Sequence, residues 1–195
     1  GAGHVNLLNG ALTTTFSILS IDVPTNPISL KLVYNDDYND IMSEFDLPRM
    51  FGNNIKLNFQ QALKVDGRVA RYIDEDGSID TLVQDIEMYY SVNRSMTYSL
   101  SSNDLHIGRK TKLLFNREKS LKYYDMSDFS QEKVMYQIIY SENNITRISG
   151  YTNNVVTHYV DFIYTGNRVS CIQSYLANDL SGSEYQLLAQ CNFSY

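Results

Sequence analysis

Hydrophobic and polar residues alternate along much of this chain. From Glu184 to Tyr195 the odd positions are Tyr185, Leu187, Ala189, Cys191, Phe193 and Tyr195, and the even ones are polar except Leu188. A period of two over this length predicts a strand with one face buried and one wet, as in an antiparallel sheet. Lys56 to Val65 shows the same pattern, with Leu57, Phe59, Leu63 and Val65 on one side. So do Arg94 to Leu100, through Met96, Tyr98 and Leu100, and Ile28 to Tyr34, through Ile28, Leu30, Leu32 and Tyr34.

Turn signals punctuate these runs: Asp66-Gly67, Asp76-Gly77, Asn143-Asn144, Asn153-Asn154, Gly166-Asn167 and Ser181-Gly182. Asn, Asp and Gly tolerate the positive φ of tight hairpins. Roughly ten or more short strands so joined form an up-and-down meander. Its apolar face must be covered, so the sheet is expected to curl into a barrel or half-barrel. One segment breaks the pattern. Tyr38, Ile41, Met42 and Phe45 fall at i, i+3, i+4 and i+7 among Asp36, Asp37, Asp40, Glu44 and Asp46. This spacing predicts one short amphipathic helix near 36–46, acidic in its first turn, ending before Pro48 and plugging an end or open side of the sheet.

The hairpins also repeat. Residues 140–151 read Y-S-E-N-N-I-T-R-I-S-G-Y and residues 164–175 read Y-T-G-N-R-V-S-C-I-Q-S-Y. Tyr opens and closes both, Asn143 and Asn167 hold the fourth place, Ile145 and Val169 the sixth, Ile148 and Ile172 the ninth. A unit recurring after 24 residues points to architecture built by repetition rather than around one catalytic loop. With no Pro-, Gly- or Ser-rich linker, residues 1–195 read as a single β domain, with repeats clearest over 133–195.

Composition sharpens this reading. Sixteen Tyr and eight Phe against three Pro favour pleated, half-buried strands. Sixteen Lys and Arg against 22 Asp and Glu give a formal charge of −6, which opposes a nucleic-acid partner. The short basic stretch Arg109-Lys110-Thr111-Lys112 reads as the wet face of a strand. No run of 18 apolar residues occurs, so no spanning helix is expected. The start at Gly1-Ala2-Gly3-His4, without Met, is what a chain trimmed of its leader would show.

Candidate chemistry is sparse. No HExxH, GxSxG, Gly-rich phosphate loop or CxxC occurs, so no catalytic residue and no cofactor are assigned. Asp74, Asp76, Ser78 and Asp80 resemble the start of a calcium loop, but Ile79 stands where Gly is needed and Asp85 where Glu is. An acidic hairpin turn is the better account, leaving these four as weak metal candidates. Cys171 and Cys191 flank the Ser181-Gly182 turn at equal distance. Pairing them sets Val169 opposite Phe193 and Tyr175 opposite Leu187, and opposed Cα atoms roughly 4.5 Å apart admit a disulfide. The plainer alternative is two reduced thiols packed as small hydrophobes. His4, His106 and His158 are scattered, and His158 shares a strand face with Val156, Val160 and Phe162, which suits a core histidine. The tyrosines could stack on sugars or anchor a protein, yet strand packing accounts for most of them.

The two repeat units resemble the YD-type repeat, usually Y-D-x-x-G-x-[IL]-x-x-I, and Asp66-Gly67-Arg68-Val69-Ala70-Arg71-Tyr72 resembles a degenerate earlier copy. Ser141 and Thr165 depart from the usual Asp, and Asn143 replaces the turn Gly in one copy. Such repeats occur in exported lipoproteins of unknown function from Bacteroides-type bacteria, with half-open or porin-like β-sheets. The resemblance implies an exported protein, periplasmic or at the outer membrane or cell surface, held by a lipid-bearing Cys before residue 1. It carries no catalytic residues, and a continuous meander without a catalytic constellation points to a non-enzymatic protein that binds an unidentified ligand or protein partner on its curled sheet. A hydrolase with carboxylates inside the barrel and a structural component of the envelope are the alternatives.

Overall fold

The computed structural model describes residues 3–5, 12–23, 26–93, 95–108, 111–116, 121–125, 135–178 and 182–195, with the backbone alone at 3–5, 122–125 and 135. Gly1, Ala2, Arg94, Arg109, Lys110 and Ser181, which figure in the expectations above, lie outside them. Four strands come first: β1 (Gly3–Val5), β2 (Leu12–Ile21), β3 (Ile28–Asn35) and β4 (Ile55–Leu57). Helix α1 (Tyr38–Glu44) lies between β3 and β4. Next come β5 (Ala62–Asp66), β6 (Val69–Ile73), β7 (Ile79–Asp85), β8 (Met88–Ser91), β9 (Met96–Ser99) and β10 (Asp104–Ile107). The chain then forms β11 (Thr111–Phe115), β12 (Leu121–Asp125), β13 (Met135–Ser141), β14 (Asn144–Thr152), β15 (Val155–Thr165), β16 (Arg168–Ala177) and β17 (Tyr185–Asn192).

Strands β1 to β4 make one antiparallel sheet, and β5 to β17 make a second in strict chain order. The expected meander is therefore observed, and the larger sheet curls into a half-barrel. Its inner face supplies Leu63, Tyr72, Leu82, Leu105, Leu113, Ile148, Val160 and Ile172 to a core that Ile28, Leu30, Phe51 and Leu57 complete from the first sheet and its loop. The two sheets thus share one apolar interior, which is the cover the meander requires.

The repeat has a geometric meaning. Register shifts fall between Ile139 and Tyr140, Gly150 and Tyr151, Ile163 and Tyr164, and Ser174 and Tyr175. These four tyrosines are the first and last residues of the two repeat units. A bulge bends its strand and increases the local twist, so periodic bulges curl the sheet at regular intervals. Tyr140 and Tyr164 turn inward. Their hydroxyls donate to the carbonyls of Leu121 (2.5 Å) and Ile145 (2.7 Å). Tyr195 adds a third rung, donating to the Val169 carbonyl at 2.9 Å. The acceptors, at positions 121, 145 and 169, keep the 24-residue interval.

Helix α1 covers the β5 edge of the sheet. Tyr38, Met42 and Phe45 pack with Ala62 and Ile73 in a second, smaller cluster. The Tyr38 hydroxyl reaches the Asp76 carbonyl (2.8 Å) across Gly77, whose φ of +83° and lack of a side chain both suit the passage. A Cβ on Gly77 would collide with that hydroxyl.

Two strand expectations need correction. Lys56 to Val65 is not one strand: residues 58–61 form a corner that carries the chain from β4 in one sheet to β5 in the other. Its polar side chains replace the missing ladder. Gln60 accepts from the Leu57 amide and donates to the Pro48 carbonyl, while Asn58 bridges the Ser29 carbonyl and the Lys31 amide. At the other end, β17 does not bury one face. Leu187 is 46% exposed and Leu188 47%, because β17 is the last strand of the sheet and has a neighbour on one side only.

Candidate functional site

One end of the half-barrel carries a candidate site. Antiparallel order brings the end of β6, the start of β9, the end of β10 and the start of β11 to the same rim, beside the Asp74–Ser78 turn. There Gln61, Tyr72, Asp74, Glu75, Met96, Ile107 and Thr111 line an open cavity of about 230 Å³. Met96 and Ile107 form an apolar wall, and the other lining side chains supply oxygens and one amide. The Tyr72 hydroxyl donates to Gln61 Oε1 at 2.5 Å, and Gln61 Nε2 donates to the Asn58 carbonyl at 3.2 Å, so the floor is held in place.

Lys56 lies in the wall behind the acidic turn. It is fully buried, and its ammonium donates to the carbonyls of Asp74 (2.8 Å) and Glu75 (3.0 Å). Burial pushes its pKa down to about 8, against the opposing pull of Asp74, Asp76 and Glu75. Asp74 Oδ1 accepts the amides of Asp76 (3.0 Å) and Ser78 (2.9 Å), which closes the turn on itself. Burial raises the Asp74 pKa, with the Ser78 amide and Lys56 working the other way. Glu75 is also raised, first by burial and then by Asp76. The rim therefore presents oxygen acceptors on a turn braced from behind by a buried lysine, next to an apolar wall.

Asp74, Asp76 and Ser78 form the acidic hairpin turn that the sequence favoured, and Asp80 stands opposite Tyr72 in β7. The turn carbonyls of Asp74 and Glu75 are occupied by the lysine, not left open to a cation. Among the described residues no group of three or more His, Cys, Asp or Glu stands close enough to hold a metal ion. Sequence reading missed Lys56, Gln61 and Tyr72 as site residues. The signal for Lys56, a lysine between Ile55 and Leu57 just before the corner, is present but reads as a wet-face residue.

The cysteines come close without pairing in register. Tyr175 does sit opposite Leu187, but the bulge at Ser174 and Tyr175 shifts the ladder beyond it. Cys171 consequently faces Asn192, and Cys191 faces Ile172. The expected Val169–Phe193 apposition is thus corrected: the Phe193 amide donates to the Ser170 carbonyl instead, and both thiols are free. One inserted residue puts the two side chains on opposite faces of the sheet.

His158 is a core histidine, as its strand face indicates. It is fully buried over Gly150, where a Cβ would strike its ring. Nδ1 meets the Thr157 hydroxyl at 3.0 Å, and Nε2 has no hydrogen-bond partner. Burial lowers its pKa to about 4, with the Asn26 backbone opposing. A second depression, lined by Asp36, Asp37, Asn39, Asp40, Asn53 and Asn54, surrounds the start of α1. Its groups serve the helix: Asn54 Oδ1 accepts the Asn39 amide, and Asn35 Oδ1 accepts that of Asp37. No protein-family profile matches the chain, and no curated protein matches it.

Proposed function

We propose that this is a non-enzymatic binding protein, exported and surface-tethered as its repeat resemblance implies, that takes a small hydroxyl- or ammonium-bearing ligand at the half-barrel rim. The observation that carries this reading is the rim cavity, where Asp74, Glu75 and Thr111 present oxygens beside Met96 and Ile107. Sites with an apolar wall and a few fixed polar groups, at the mouth of a curled sheet, suit a small polar ligand. Acceptors outnumber donors there, so the ligand has to bring the donors.

A hydrolytic reading also has a supporting observation, since two adjacent carboxylates line one cavity. It is the weaker of the two, because Asp74 spends Oδ1 on the turn amides. The test is a melting-temperature screen of small polyols and primary amines on the wild type, Glu75→Gln and Thr111→Val. A ligand that raises the wild-type melting point, and does so less in both variants, supports the reading. A screen without a saturable shift rejects it, and saturable turnover of any screened compound would establish the hydrolase instead.

A further inference from the structure

On the reading of the rim cavity as a binding site, we infer that its occupant is a primary ammonium on a short apolar body, and that neutral hydroxyl compounds compete poorly for it. Hydrogen-bond supply separates the two classes. A hydroxyl brings one donor with two acceptor lone pairs, whereas an ammonium brings three donors and no acceptor. A polyol therefore needs donors from the wall, and an ammonium needs none.

The strong donors around the cavity are already engaged. Lys56 stands behind the turn, and its ammonium donates to three carbonyls, those of Asp74 (2.8 Å), Glu75 (3.0 Å) and Leu57 (3.4 Å). An ammonium has three hydrogens, so none is left for a ligand. The Tyr72 hydroxyl donates to Gln61 Oε1, and Gln61 Nε2 donates to the Asn58 carbonyl. The lining side chains therefore offer at most the second Gln61 amide hydrogen and the Thr111 hydroxyl. Acceptors are plentiful by contrast. Asp74 Oδ1 holds the Asp76 and Ser78 amides, but among the described residues no hydrogen bond reaches its Oδ2 or the Glu75 carboxylate.

Charge points the same way. Burial first, and Asp76 next, hold the Glu75 carboxyl above its ordinary range, against Lys31 and Lys56. Asp74, Glu75 and Asp76 thus stand against two lysines, and neither lysine lines the cavity. A bound cation offsets that crowding, and a neutral ligand does not. Met96 and Ile107 decide the rest of the ligand. They offer an apolar surface that a bare ammonium or metal ion would leave unused, so the cation has to carry a hydrocarbon body.

The test titrates the full chain by calorimetry at pH 7 with benzylamine, benzyl alcohol and ammonium chloride, and follows the Met96 methyl signal by NMR. Benzylamine is expected to bind saturably, to move that signal, and to bind at least about tenfold tighter than either of the other two, because it alone combines charge-assisted bonds with apolar contact. Glu75 is exposed, so Glu75→Gln leaves the fold intact. It should weaken benzylamine at least about fivefold and change benzyl alcohol by less than about twofold. Benzyl alcohol binding as tightly as benzylamine, or an amine affinity indifferent to Glu75→Gln, overturns the ammonium assignment and leaves the cavity a ligand site. If no probe moves the Met96 methyl, the binding-site reading falls with it.

Discussion

Lys56 and His158 are ionisable side chains sealed inside a β-core, and each ties stability to pH in a direction that can be worked out. The folded-state pKa of Lys56 is about 8 against an ordinary 10.5. Between those values the unfolded chain binds more protons, so stability rises with pH through that window. Urea midpoints at pH 7.5 and 9.5 should show a gain of about 2 kcal/mol that Lys56→Met lacks. His158 is depressed to about 4 from 6.5, so the protein should lose stability as pH falls between them. About 2 kcal/mol should be gone at pH 5, and His158→Asn should flatten that limb of the profile. Gly77 is constrained by space as well as by φ. Gly77→Ala is expected to cost about 2 kcal/mol or more in chemical denaturation, since it adds a collision with Tyr38 to a left-handed backbone.

At the scale of elements, the repeat's two tyrosines do different work. The leading pair, Tyr140 and Tyr164, satisfies buried carbonyls, while the closing pair donates outward, Tyr151 to Gln137 and Tyr175 to Gln173. Tyr140→Phe and Tyr164→Phe should each cost about 1–2 kcal/mol, against at most about 0.5 for Tyr151→Phe and Tyr175→Phe. Equal losses in the two pairs would show that the hydroxyl ladder adds nothing. Helix α1 is short, so its stability comes from its packed face rather than from its own turns. Met42→Ala, at a fully buried site, should cost about 2–4 kcal/mol by thermal or urea unfolding.

For the whole molecule, cooperative stability should be greatest where the sheet is covered on the inside and paired on both sides. Amides of Ile148, Val160 and Ile172 are expected to exchange only by global opening, and those of β17 by local fraying. The alternation of Leu30, Tyr98 or Val160 with polar neighbours, the Asn- and Gly-bearing turns, and the i, i+3, i+4 spacing about Met42 made the meander and its helix legible, because these are local preferences. The closing tyrosines marked a period whose purpose, a bulge at each Tyr, shows only when two strands are paired. Lys56 and the Gln61–Tyr72 floor were hidden for the same reason, since burial belongs to the neighbours a residue acquires. The local order of apolar side, polar side and turn is thus written in the chain, where adjacent residues alone determine it. The corner at 58–61, the one-residue slip that parts Cys171 from Cys191 and the rim cavity were decided by tertiary packing. Each depends on which distant strands meet, and short-range pattern carries no term for that.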